Sequence, residues 1–109
     1  MTNGDETEDE MIARRARELE ALLEEHSANM ASLPAVTNLL VHERPDGTVP
    51  QDILQRHNAE SVERQRQMVS ACRAYKRRVA EAVERHQREE AALRARLHAA
   101  RAEAPAEAP

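Results

Sequence analysis

This chain of 109 residues contains no tryptophan, no phenylalanine, one tyrosine, two glycines and one cysteine. Each shortage excludes something. Too few large side chains are present to wall an enclosed pocket, so an enzyme is not expected. Gly4 and Gly47 are the only glycines, which leaves no glycine-rich loop to cradle a phosphate. The single thiol, Cys72, cannot form an internal disulfide, which fits an intracellular setting, the cytoplasm first with the nucleus as the alternative. No apolar run has the length of a membrane span and the N-terminus is acidic where a signal peptide is basic, so no membrane insertion is expected. Leu, Ile and Val together number 18, about a sixth of the chain and below what a self-sufficient core needs. What is present points elsewhere: Ala, Glu, Lys, Leu and Arg make up 61 residues, the composition of long helices and coiled coils.

The net charge of −4 is unevenly spread. Residues 1–51 carry four basic and eleven acidic side chains, whereas residues 52–101 carry twelve and seven. Opposite signs on two halves favour their pairing, within the chain or with complementary partners.

Apolar spacing divides the chain into an acidic helix over 7–33, an apolar linker and turn over 34–49, and a basic helix over 50–101. Thr7 and Glu10 form a capping-box pair at the first start. Ile12, Ala16, Leu19, Leu23, His26, Met30 and Leu33 then recur at alternating spacings of four and three, a heptad seam that Leu22 widens. Pro34 ends the helix. Residues 35–41 read either as a short helical turn or as an extended segment, and Arg44-Pro45-Asp46-Gly47 is a turn signal. Thr48 with Gln51 offers a second capping box, and Pro50 suits a first helical turn. The second seam passes through Leu54, Val62, Val69, Cys72, Val79, Val83, Leu93 and Leu97, with Asn58, Gln65, Lys76, His86 and Glu90 between them. Pairs four apart, Glu60–Arg64, Glu81–Arg85, Glu84–Arg88 and Glu90–Arg94, support the helix along its length. Residues 1–6 and 102–109 read as disordered, the latter from their Ala/Pro/Glu repeat.

The fold class expected is therefore all-α: two helices, as a hairpin or an elongated helix-linker-helix, forming a coiled coil or helical bundle with other chains. In a tight fold-back the shorter first helix reaches only to about residue 75. That leaves Lys76 to Arg101 as an uncovered arm.

Chemical motifs are sparse. The five histidines include no pair four residues apart and no Glu-x-x-His pattern, so neither metal nor cofactor is expected. No serine lies in a glycine-flanked elbow, and the His and acid residues near Cys72 stand at spacings that a helix places on other faces. The nine residues Asn58-Ala59-Glu60-Ser61-Val62-Glu63-Arg64-Gln65-Arg66 resemble the basic region of basic leucine-zipper transcription factors, with the Asn and the Arg eight later both in place. No basic cluster precedes them, Glu63 replaces a basic residue, and Tyr75, Ala82, Glu89 and Arg96 occupy the positions of the zipper leucines. The DNA binding that this resemblance implies is not carried to the chain. Arg73, Lys76, Arg77 and Arg78 form its densest positive patch, a candidate anion-binding site, with Tyr75 the one aromatic able to stack on a base.

The function expected is a non-enzymatic scaffold or adaptor subunit that works by helix–helix assembly. Its partner-binding residues are Ile12, Leu19, Leu22, Leu23, Met30 and Leu33 on the first helix. Leu39, Leu40 and Val41 serve in the linker; Val62, Val69, Val79, Val83, Leu93 and Leu97 serve on the second helix. The partners expected are other helical chains in a hetero-oligomer, because a parallel pair of second helices would set Lys76 against Lys76 and Glu90 against Glu90. The alternative is a nucleic-acid-associated regulator acting through the basic second helix.

Overall fold

A computed structural model describes residues 6–103. Helix α1 spans Glu8–Ala31 and helix α2 spans Gln51–Glu103. Between them lies a linker containing a 3-10 turn at Leu39–His42. The described residues contain no strand, and the molecule measures 94 × 26 × 18 Å. The fold is all-α, a long helical hairpin.

Local chemistry sets most of the boundaries. The Thr7 hydroxyl accepts the Glu10 amide at 3.1 Å, and Glu8, Asp9 and Glu10 place negative charge at the positive end of the α1 dipole. At the other end, the Ser32 amide and hydroxyl both return to the Ala28 carbonyl, and Pro34 prevents continuation. The linker takes both forms that its sequence allows: extended to Asn38, whose side chain accepts the Leu40 amide at 3.0 Å, then the 3-10 turn. The turn at Arg44–Gly47 closes through a 2.9 Å bond from the Gly47 amide to the Arg44 carbonyl, with Gly47 at φ +83°. Only glycine holds that angle without strain. The expected cap at Thr48 is not used, because the Thr48 hydroxyl binds Asp46 at 2.6 Å. The Pro50 carbonyl instead accepts the Ile53 and Leu54 amides and starts α2. At the ends, Glu6 is held by Arg14 at 3.1 Å and α2 continues through Ala102 and Glu103. The remaining residues expected to be disordered, 1–5 and 104–109, lie outside the described range.

The two helices run antiparallel, and their pairing corrects the expected overhang. Arg14 meets Glu89, Arg15 meets Glu90, Glu18 meets His86, and Glu25 meets Arg78. From Arg14 to Glu25 the α1 number rises by eleven while its α2 partner falls by eleven, so one register holds throughout. A tight fold-back would level Arg14 with a residue near 70. The difference is taken up by the linker, which lies along the first turns of α2 before α1 begins: Pro34 is opposite Arg64 and Thr37 opposite His57 and Glu60. At the far end, Thr7 and Met11 share the wall of one cavity with Leu93 and Leu97. No arm projects from Lys76 onward; α1 covers α2 as far as Leu97.

What the hairpin buries is little. Ile53, Ala82 and His86 are the only buried residues described, and no large side chain is fully enclosed. Ala82 has no exposed surface at all, and the register sets it level with Leu22. A methyl group there lets the helices approach closely. Replacing Ala82→Leu adds bulk with nowhere to go and is expected to cost about 1–3 kcal/mol. Thermal melting followed by circular dichroism reads this as a lowered midpoint, with Ala80→Leu, at an exposed position, as the control that leaves it unchanged.

Candidate functional site

The helices do not meet along their heptad seams. Facing α2 are Met11, Arg15, Leu22 and His26 of α1; facing them are Tyr75, Ala82 and His86 of α2, and His57, Arg64 and Met68 continue the same stripe of α2 toward the linker, all of them buried or half-buried. At about 100° per residue, Ile12 and Leu23 lie roughly 70–90° around α1 from that contact, and Val83 lies a similar angle around α2. Both displacements run in the same sense when each helix is viewed from its own N-terminus. Because the helices are antiparallel, equal senses point to the same side of the hairpin. Ile12, Leu23, Val83 and Leu97 thus share one face, with Val62 and Val69 toward its outer edge. All six are exposed, Ile12 at 55% and Leu23 at 51%. Leu19, Met30, Leu33, Val79 and Leu93 are half-buried beside them. Leu22, read as a widening of the seam, is instead part of the hairpin contact. In the linker, Leu39 is half-buried, while Leu40 and Val41 stand exposed at the bend.

The opposite side of the hairpin is charged. A shallow cavity there is lined by Glu18, Ala21, Leu22, Glu25, Arg78, Glu81 and Arg85. On that side Arg14 Nη2 reaches Glu89 at 2.8 Å and Glu18 binds both Arg85 and His86, the latter through Nε2 at 2.9 Å, while Arg15 crosses the contact to reach Glu90, on the seam side of α2, through Nη1 at 3.0 Å. Read toward the bend, α1 presents two positive charges and then negative ones, and α2 presents the complement. The attraction expected between an acidic and a basic half operates at Glu18 and Glu25 but is reversed at Arg14 and Arg15. Such exposed pairs contribute at most about 1 kcal/mol each, so their main effect is to select register. A slip of one heptad would set Arg14 against Arg96.

Polar groups of α2 that look solvent-facing in the sequence hold the linker instead. Arg64 Nη1 donates to the Pro34 carbonyl at 2.8 Å, His57 Nδ1 donates to the Thr37 carbonyl at 2.8 Å, and Glu60 accepts the Thr37 amide at 3.3 Å as well as its hydroxyl. The expected Glu60–Arg64 pair is therefore replaced by two linker contacts, and Arg85 turns from Glu81 to Glu18. Of the four intrahelical pairs expected, Glu90–Arg94 forms, at 3.3 Å. The sequence signal for this contact is the polar stripe at 57, 60 and 64, which apolar periodicity does not register.

The basic patch is divided. Arg78 is engaged by Glu25, and the Tyr75 ring is stacked on His26 at 4.5 Å, which removes it as a free base-stacking platform. Arg73, Lys76 and Arg77 remain exposed. Among the described residues no group of three or more His, Cys, Asp or Glu is arranged to hold a metal ion, and no helix is long and apolar enough to cross a membrane. Comparison with protein families, with curated proteins and with solved structures finds no match for this chain.

Acid is expected to loosen the hairpin. Hydrogen bonding to His86 holds the Glu18 carboxyl below its ordinary range, Arg14 does the same for Glu89, and Thr37 for Glu60. Groups whose folded values are depressed add stability above the unfolded carboxylate value near 4.3, and that stability is lost as pH falls through the folded values. Melting midpoints should hold above about pH 5 and fall below about pH 4. Glu18→Gln should flatten that fall.

Proposed function

We propose that this chain is a non-enzymatic assembly subunit, a scaffold or adaptor whose hairpin presents its heptad seams to helical partner chains. One observation carries the reading: the large apolar side chains in best heptad order, Ile12, Leu23, Val83 and Leu97, lie together on an uncovered face, while the hairpin contact uses the neighbouring stripe of Met11, Leu22, Tyr75, Ala82 and His86 with ion pairs at its margins. Completing the burial of a half-exposed aliphatic side chain is worth about 1 kcal/mol, so the face offers several kcal/mol to a chain that covers it. The pattern of an open apolar face backed by a charged one is what an assembly surface requires. A complex built this way needs no cofactor.

The competing reading, nucleic-acid binding through α2, draws on the shallow groove formed by Arg66, Arg73 and Arg77 around Val62 and Val69. Glu63 already holds Arg66 at 2.7 Å, and Tyr75 is occupied. Phosphate contacts would show as binding that falls steeply with added salt, and the assembly reading expects no binding at physiological salt.

Photo-crosslinking in cells separates an assembly surface from a merely exposed one. A crosslinking amino acid at Leu23 or Val83 should join the chain to another polypeptide, whether its own copy or a different protein, and the same group at Glu81 on the charged side should not. Equal capture at all three positions, or none at any, contradicts the reading.

A further inference from the structure

The uncovered face has an occupant of definable chemistry. We propose that it is a second copy of this chain: two hairpins stack seam face to seam face as a four-helix bundle in which α1 of each lies on α2 of the other. This rests on the assembly reading above and names its partner.

The chain exposes 8911 Å², against about 6,100 Å² for a compact monomer of its mass. A standard interface takes about 800 Å² from each partner, so the hairpin has surface enough for a whole one. The face also runs nearly the full length of the molecule, from Leu97 and Ile12 at one end toward Val62 and Leu54 at the other, and a second hairpin has the same length.

Helix α1 carries three arginines and seven acids, whereas α2 carries twelve basic and eight acidic residues. Stacking with the two-fold axis along the bundle places every α1 between two α2 helices, alternating sign around the bundle. Stacking with the axis across it would put α1 on α1, one acidic helix against another. The first arrangement also dissolves the objection to self-association raised by the sequence: Lys76 on the seam flank of α2 then lies beside the acidic α1 of the other copy, not beside another Lys76.

Sedimentation equilibrium on the purified chain tests this directly. The expected result is a mass twice the 12.3 kDa of one chain, with a melting midpoint that rises with protein concentration. Leu23→Glu combined with Val83→Glu should give a monomer that keeps the hairpin, read as retained helicity and an unchanged distance between spin labels on α1 and α2. Glu20→Lys, at an exposed position outside the hairpin contact, should weaken the dimer about 3- to 10-fold, and raised salt should weaken the wild type. A tighter dimer from Glu20→Lys would instead show α1 on α1 and overturn the arrangement. A wild-type chain that is monomeric at 100 µM overturns self-association altogether. If crosslinking from Leu23 and Val83 still captures a different polypeptide, the assembly reading stands and the partner is a different helical chain.

Discussion

The clasp between the linker and the first turns of α2 is the constraint on which the rest of this structure depends. Arg64 on the Pro34 carbonyl, His57 on the Thr37 carbonyl, and Glu60 on the Thr37 amide and hydroxyl lay the extended segment along α2. That segment occupies the stretch of α2 which a tight fold-back would have given to α1. Helix α1 is thereby carried toward the far end, where Arg14 and Arg15 find Glu89 and Glu90. Without the clasp, neither the register nor the coverage of α2 to Leu97 follows.

The second consequence is rotational. Setting Leu22 level with Ala82 brings the helices together through a narrow contact built of Leu22 and the Ala82 methyl group, the stacked His26 and Tyr75 rings, a histidine–carboxylate pair, and ion pairs at its margins. The heptad seams are turned to the side. An unsatisfied apolar requirement is thus expressed as a face along the whole hairpin, and that geometry favours a partner as long as the hairpin itself over one that grips a single end.

Sequence periodicity reached the two helices, the Thr7 cap, the turn around Gly47 and the apolar stripes, because these depend on spacings of three and four or on one residue's backbone preference. It did not reach the register or the direction in which the stripes face. Those depend on polar side chains, Glu60 and Arg64 above all, which read as a helical ion pair yet bond to a segment more than twenty residues away. His86 was read as a polar seam residue; its burial against Glu18 follows from the same rotation. The candidate partner surface was legible as a set of residues and not as a place, since a heptad seam names the most apolar stripe and the hairpin contact uses the stripe beside it.

The register is the claim from which the others descend. In a Cys72→Ser background, spin labels replacing Ile12 and Leu97, both exposed, report it without disturbing the contact. The clasped hairpin sets these positions about 15 Å apart, since α1 residue 12 lies level with the region near 91. A measured separation of about 40 Å, the value for a tight fold-back that leaves the end of α2 projecting, would contradict the account.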